Sequence, residues 1–101
     1  MHIDFPHRLP HDEAKARLEA LGDYLQNKHG IGVSWQGDQA RIKGRYMVVS
    51  IEGTVSLGPD RVVFEVKDPG MLWRGKAKDY LTHKLGKYLD PGTAKEALPR
   101  R

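Results

Sequence analysis

Histidine and aspartate side chains are concentrated at the start of the chain, where residues of this type could bind a metal ion. Five potential ligands occur within residues 2–12: His2, Asp4, His7, His11 and Asp12. A zinc site requires its ligands to converge at about 2.0–2.2 Å from the ion. Pro6 and Pro10 separate these side chains with fixed backbone angles, and the spacing from His7 to His11 crosses a predicted helix start. We therefore predict exposed histidines and no metal site.

Nucleophiles and carboxylates show no arrangement typical of an enzyme. The hydroxyl side chains lack the local sequence of a nucleophile elbow, and no glycine-rich phosphate motif is present. The chain contains no cysteine, which excludes disulfides, thiolate zinc sites and cysteine nucleophiles. Because a catalytic triad is recognised by geometry, the sequence leaves catalysis open, and we predict no catalytic residue and no cofactor.

Positive charge is concentrated in the C-terminal third of the chain. Lys and Arg total 17 and Asp and Glu total 13, a net charge of +4. Residues 1–37 carry −1, residues 38–68 are neutral, and residues 69–101 carry +5. A charge-driven partner is therefore expected at this last segment. No apolar run approaches the ~20 residues of a membrane helix, and the N-terminus lacks the pattern of a signal peptide, so we expect a cytoplasmic location.

The positions of apolar residues predict a strand followed by a helix at the N-terminal end. Ile3 and Phe5 alternate with polar residues, and Pro6 restricts this strand to a sheet edge or to the end of pairing. The helix is predicted to begin near Pro10 and to end at Gly30. Its apolar face contains Ala14, Leu18, Leu21 and Leu25.

A period of two from Ile31 to Lys67 predicts four strands in an antiparallel meander. Turns are predicted at Gly37-Asp38 and Gly58-Pro59-Asp60. The third strand of the meander, which leads into the second of these turns, is predicted over Met47 to Leu57. A second helix follows Asp68-Pro69-Gly70. Its apolar face contains Trp73, Ala77, Tyr80, Leu81, Leu85 and Tyr88.

The order of elements, β-α-β-β-β-β-α, defines an α+β fold class. We predict a two-layer architecture, in which both helices cover the apolar face of an antiparallel sheet and the other face is polar. Residues 1–92 are predicted to form a single domain. Residues 93–101 are predicted to form a short, polar and flexible tail.

A basic row is predicted on the uncovered face of the sheet. It consists of Arg41, Lys43 and Arg45. This row could bind an anion, a nucleic acid or a phospholipid, or it could pair across strands with Glu52 and Glu65. Nucleic-acid-binding sheets also expose aromatic residues for stacking, whereas the strand aromatics fall on the predicted inner face: Trp35, Tyr46 and Phe64. We therefore favour cross-strand pairing and expect no nucleic-acid partner.

The second helix has an outer face of small residues between two basic flanks. Gly75, Thr82 and Gly86 could pack closely against a second subunit and form a homodimer. The alternatives are that these small residues have no function or that the helix is bent at glycine. The basic side chains are Arg74, Lys76, Lys78 and Lys87. Near the helix start, Met71, Leu72 and Trp73 occur in succession, so these three side chains cannot all face the core.

Five short segments carry a resemblance to a known family: Ile3-Asp4-Phe5-Pro6-His7, Glu13-Ala14-Lys15-Ala16-Arg17, Trp35-Gln36-Gly37-Asp38, Ile51-Glu52-Gly53-Thr54-Val55 and Lys87-Tyr88-Leu89-Asp90. Their order and spacing, over about residues 2–90, resemble those of the small bacterial polyhydroxyalkanoic acid system proteins. This resemblance implies association with storage-polyester metabolism or granules, and it supplies no catalytic residues.

These observations predict a non-enzymatic accessory or binding protein. Its expected partner is the storage-granule surface or a granule-associated protein, contacted through the second helix by Met71, Leu72, Arg74, Lys76, Lys78 and Lys87. Two alternatives stay open. One is a nucleic-acid-binding module that uses Arg41, Lys43 and Arg45, and the other is a small ligand-binding domain with a cavity between sheet and helices.

Overall fold

Five strands and two α-helices follow one another in the predicted order. The computed structural model describes residues 1–46 and 48–101. The elements are β1 (His2–Pro6), α1 (His11–His29), β2 (Gly32–Gln36), β3 (Gln39–Tyr46), β4 (Val49–Leu57), β5 (Arg61–Val66) and α2 (Met71–Tyr88), followed by a 3₁₀ turn (Lys95–Ala97). The predicted α+β class and element order are confirmed. Met47, where the predicted third strand of the meander begins, lies outside the described residues.

The sheet is antiparallel throughout, in the order β1-β5-β4-β3-β2. Strands β2 to β5 form the predicted meander, because each is joined to the next by a short turn. β1 pairs with β5 at the sheet edge, where Ile3 lies opposite Phe64 and Pro6 opposite Arg61. The edge position suits Pro6, which has no N–H to donate to a second neighbour.

Helix α1 lies on the inner face of the sheet through its predicted apolar stripe. Ala14, Leu18, Leu21 and Leu25 are all buried. The helix ends where Gly30 takes a left-handed conformation with φ of +71°, and the Gly30 N–H donates to the carbonyl of Gln26 at 3.0 Å. Glycine adopts this conformation without the steric cost that a side chain would impose.

Helix α2 is buried at its C-terminal end only. Leu85 and Tyr88 are fully buried, whereas Trp73, Ala77, Tyr80 and Leu81, on the same stripe, are partly exposed. The predicted apolar face of α2 therefore points towards the sheet along its whole length. Its N-terminal half nevertheless does not close onto the strands.

Residues 93–101, predicted to form a flexible tail, contact helix α1. Leu98 is buried, the hydroxyl of Tyr88 donates to the carbonyl of Pro99, and Asn27 Nδ2 donates to the carbonyl of Arg100 at 2.7 Å. Arg100 also forms an exposed ion pair with Asp23. The flexibility of this segment stays a prediction.

The expectation that the N-terminal histidines are exposed is wrong for His7, which is buried. Its Nδ1 accepts the N–H of Leu9 at 3.2 Å, and its Nε2 lies 3.1 Å from the carbonyl oxygen of Gly58. These two contacts fit the tautomer in which Nε2 carries the proton. His7 therefore joins the β1–α1 loop to the β4–β5 turn, and its burial reflects these two hydrogen bonds.

Candidate functional site

An apolar cavity of about 470 Å³ lies between the N-terminal half of α2 and the sheet. The strands contribute Ile42, Ile51 and Val66 to its lining, and α2 contributes Trp73, Ala77, Tyr80 and Leu81. The cavity exists because α2 closes onto the core only near Leu85 and Tyr88. A volume of this size falls within the roughly 300–1,000 Å³ of typical small-molecule sites.

Aromatic rings from three elements form one side of this cavity. The ring centroid of His29, at the end of α1, lies 5.4 Å from that of Tyr46 in β3 and 5.8 Å from that of Tyr80 in α2. The rings of Tyr46 and Trp73 are 6.3 Å apart in an edge-to-face arrangement. These large side chains fill the space between the helix ends and the sheet, and we infer that their bulk holds α2 away from the strands.

Two polar groups of this aromatic cluster, the His29 imidazole and the Tyr80 hydroxyl, are uncharged at neutral pH. Burial, reinforced by the nearby cations Lys28 and Lys84, lowers the pKa of His29 below its usual value. Burial also raises the pKa of Tyr80 to about 12. The Nε2 atom of His29 lies 3.0 Å from the Tyr80 hydroxyl, so the two groups satisfy each other and leave the wall without a net charge.

The rim of the cavity is positively charged. Lys67 and Lys76 are among its lining residues, and that lining contains no aspartate or glutamate. The Nζ atom of Lys76 lies 5.7 Å from the centroid of the Trp73 ring, a cation–π geometry. Charge at the mouth of an otherwise apolar cavity favours a ligand that is negatively charged at one end.

Arg74 is the one predicted contact residue of α2 whose charge is compensated within the described chain. Its guanidinium donates to both carboxylate oxygens of Asp68. This ion pair holds the pKa of Asp68 below its usual range and raises that of Arg74, chiefly through the side-chain hydrogen bonds. Both side chains are exposed, so the pair adds little stability. It does leave less of the Arg74 charge available to a partner.

Large apolar side chains are exposed at the end of the molecule that holds the cavity. Met71 is 87 % exposed and Leu72 85 % exposed at the start of α2, and Val48 is 80 % exposed in the β3–β4 turn. The contact between Tyr46 and Trp73 brings this turn beside the helix start. We call Val48, Met71 and Leu72 the apolar tip. Met71 and Leu72 were predicted contact residues, whereas Val48 was not, although three apolar residues in succession, as at positions 47–49 of the sequence, cannot all face inward from a strand.

The remaining predicted site residues lie on two further surfaces. Lys78 and Lys87 are exposed on α2, as are Gly75, Thr82 and Gly86, and a Cβ atom added at Gly75 or Gly86 would have nothing within 4 Å. The small-residue face is thus open to solvent in the single chain, and its packing against a second subunit stays a prediction.

The basic row lies on the opposite face of the sheet from α2. Its members are exposed, and they are Arg41, Lys43 and Arg45. Lys43 lies directly opposite Glu52, in keeping with the predicted cross-strand pairing. Glu65 instead contacts His2, since these two residues face each other across β1 and β5. The structure therefore does not bring the basic row together with the contact residues of α2.

Metal binding finds no support in the described part of the chain. Residues 1–46 and 48–101 contain no group of three or more histidine, aspartate or glutamate side chains placed to hold a metal ion. The N-terminal candidates have separate partners: Asp4 pairs with Arg61 at 2.8 Å, and His11 with Asp38 at 2.8 Å. No helix of the described residues has the length and apolar character needed to cross a membrane.

The fold and the site define a small two-layer α+β protein with an apolar cavity and an exposed apolar tip, both next to cationic side chains. The chain belongs to the polyhydroxyalkanoic acid system protein family, whose model, described as "Putative polyhydroxyalkanoic acid system protein", matches residues 1–91. The resemblance found in the sequence is thereby confirmed. Comparison with curated proteins gives no significant match, and comparison with solved structures gives none either.

Proposed function

We propose that this protein is a non-enzymatic accessory protein of polyhydroxyalkanoate metabolism that associates with cytoplasmic storage granules through α2. The observation that carries the proposal is the exposure of Met71 and Leu72, at 87 % and 85 %, at the start of a basic helix. Membership of a polyhydroxyalkanoic acid system family supports the choice of partner. Exposed apolar side chains next to cations are typical of segments that bind an anionic surface with an apolar interior.

The apolar tip contributes more to this association than charge does. Fully burying one large aliphatic side chain is worth roughly 1.5–3 kcal/mol, so Met71 and Leu72 together supply about 3–6 kcal/mol. A lysine near an anionic surface contributes about 1 kcal/mol. The side chains of Lys76, Lys78 and Lys87 therefore orient the contact and add to it, and the association as a whole is weak and reversible.

Trp73 does not belong to the apolar tip. It follows Met71 and Leu72 directly, but its ring lines the cavity and contacts Tyr46. It is consequently engaged within the fold. Only Met71 and Leu72 of the three consecutive apolar residues are available to a surface, and Val48 extends the same tip.

The test is recruitment of a fluorescent fusion to granules in cells that accumulate the polyester. We expect Met71→Ser/Leu72→Ser to abolish most of the granule fluorescence, and Lys76→Glu/Lys78→Glu/Lys87→Glu to reduce it strongly. The matched control is Arg41→Glu/Lys43→Glu/Arg45→Glu, which makes the same change in net charge on the opposite face and should leave recruitment intact. Undiminished granule fluorescence in both α2 variants would refute the proposal.

A second candidate function, a small ligand-binding domain, is favoured by the cavity of about 470 Å³. It is compatible with the first, because the cavity and the apolar tip use different side chains. Trp73, Ala77 and Tyr80 face the cavity, whereas Met71 and Leu72 face solvent.

A further inference from the structure

The interior of the cavity is suited to an aliphatic chain. Ile42, Ile51 and Leu81 line it on opposite sides. Two polar side chains of the aromatic wall, His29 and Tyr80, are hydrogen-bonded to each other. A polar ligand group placed there would lose its water and would have to compete with this existing hydrogen bond, which is costly.

The rim is suited to a negatively charged head group. Lys67 and Lys76 are the charged side chains of the lining at neutral pH, since burial keeps His29 uncharged. Within the described residues, neither lysine forms an ion pair with a carboxylate. Asp68, which follows Lys67 directly in the sequence, forms an ion pair with Arg74.

We propose that the cavity binds a single medium-chain fatty acid, with the aliphatic chain in the interior and the carboxylate at Lys67 and Lys76. The inference rests on three observations that concern different properties: a volume large enough for such a ligand, an aliphatic and aromatic interior, and a lining that contains two exposed lysines and no aspartate or glutamate. It does not depend on granule association, which rests mainly on the apolar tip and shares only Lys76 with the cavity lining.

Isothermal titration calorimetry of the full chain at neutral pH tests the proposal, with hexanoate, octanoate, decanoate, dodecanoate and tetradecanoate as ligands below their micelle concentrations. Each buried methylene contributes about 0.8 kcal/mol, so the affinity should rise about fourfold per carbon. The rise should stop once the chain fills the cavity. Absence of saturable binding across the series, or a rise with no plateau as in partition to an open surface, would overturn the proposal.

The head-group contact is tested with decanol and with lysine variants. Decanol has the same chain without the charge, and we expect it to bind at least tenfold more weakly than decanoate, an effect of about 1.4 kcal/mol. Lys67→Met/Lys76→Met should reduce decanoate affinity to that of decanol. Lys78→Met is the matched control, because Lys78 is exposed on α2 and does not line the cavity. Equal affinities for decanoate and decanol would overturn the role of the lysines.

Filling the cavity tests where the ligand binds. Ala77→Trp should abolish decanoate binding, and the smaller change Ala77→Leu, more easily accommodated by the fold, should weaken it. Trp73 gives an independent readout, since in a Trp35→Phe background its fluorescence should shift on titration with decanoate. Unchanged binding by both Ala77 variants would contradict the site. Met71→Ser/Leu72→Ser should bind decanoate normally and Ala77→Trp should still reach granules, so the two proposals fail separately.

Discussion

The guanidinium of Arg17, in the middle of α1, donates a hydrogen bond to the main-chain carbonyl of Tyr88, the last residue of α2, at 3.1 Å. The same group donates to the carbonyls of Asp90, at 2.8 Å, and Thr93. Arg17 is buried, and its Nε also pairs with Glu13. One side chain thus satisfies carbonyls at and beyond the C-terminus of α2, which the helix itself leaves without partners. The C-terminal end of α2 is thus hydrogen-bonded to α1. Its N-terminal half lies away from the sheet, and the cavity occupies the space between them.

Replacing Arg17 should destabilise the whole domain. Arg17→Leu retains apolar volume but leaves several carbonyls and the Glu13 carboxylate without their donor, and we expect a loss of roughly 3 kcal/mol in the free energy of unfolding. Urea denaturation followed by circular dichroism measures this. Arg8→Leu is the control, because Arg8 is exposed and surface changes are usually within about 0.5 kcal/mol. Equal stability of the two variants would contradict the role given to Arg17.

The parts of the fold that were predictable from sequence are those decided by local signals. Pro10 and Gly30 flank α1 as predicted, and the turn at Gly37-Asp38 joins β2 to β3. Burial of Arg17 was not predicted, because its acceptors are main-chain atoms more than seventy positions away. The sequence feature that could have indicated this burial is the position of Arg17 on the apolar face of α1, four residues before Leu21.

The cavity could not be predicted for a different reason. The stripe of α2 that contains Trp73 and Tyr80 fixes which side of the helix faces the sheet, and that orientation was predicted. The distance between helix and sheet depends on how bulky side chains from separate elements meet. Here His29 and Tyr46 contact the rings of Trp73 and Tyr80. These residues lie in three different elements, so no periodic pattern in the sequence indicates that they are in contact.

Two glycines that the sequence places inside regular elements should respond in opposite ways to substitution by alanine. A Cβ atom at Gly53 would overlap the carbonyl oxygen of Glu65 and lie 2.7 Å from the Cα of Val66, so Gly53→Ala should cost roughly 1–3 kcal/mol through overpacking. At Gly75 nothing lies within 4 Å, and Gly75→Ala should stabilise α2 by about 0.5–1 kcal/mol. Thermal unfolding at low protein concentration measures both, and a destabilised Gly75→Ala chain would contradict the open helix face.

The same Gly75→Ala protein tests the predicted homodimer. If Gly75, Thr82 and Gly86 pack against a second subunit, the added methyl group should weaken association, which sedimentation velocity over a range of concentrations detects. Lys95→Ala, in the C-terminal segment away from this face, is the control. A concentration-independent monomer in the unaltered protein would rule out the dimer.

Stability should fall below neutral pH because of His29. The pKa of this residue in the folded chain is lowered from 6.5, first by burial and then by Lys28 and Lys84. As the pH falls from 6.5 towards that lower value, the unfolded chain binds a proton that the folded chain does not, so the free energy of unfolding decreases. His29→Gln cannot titrate and should flatten this dependence in urea denaturation between about pH 7 and pH 5. His83→Gln, at an exposed position of α2, should leave the slope unchanged, and equal slopes in all three proteins would contradict the assignment.

The outer face of the sheet should bind nucleic acid only weakly and through phosphate contacts. The three exposed basic residues of β3 share this face with Glu52 and Glu65, and the ring of Tyr46 contacts His29 and Trp73 on the inner side, so bases find no stacking partner there. Three phosphate contacts correspond to a slope of about −3 in the logarithm of affinity against the logarithm of salt concentration.

We expect Arg41→Ser/Lys43→Ser/Arg45→Ser to remove that slope, measured by fluorescence anisotropy with a random duplex and a random single strand. Lys76→Ser/Lys78→Ser/Lys87→Ser, on the other side of the molecule, is the control. Tight binding of the single strand at physiological salt, lost in the β3 variant alone, would instead establish the nucleic-acid alternative.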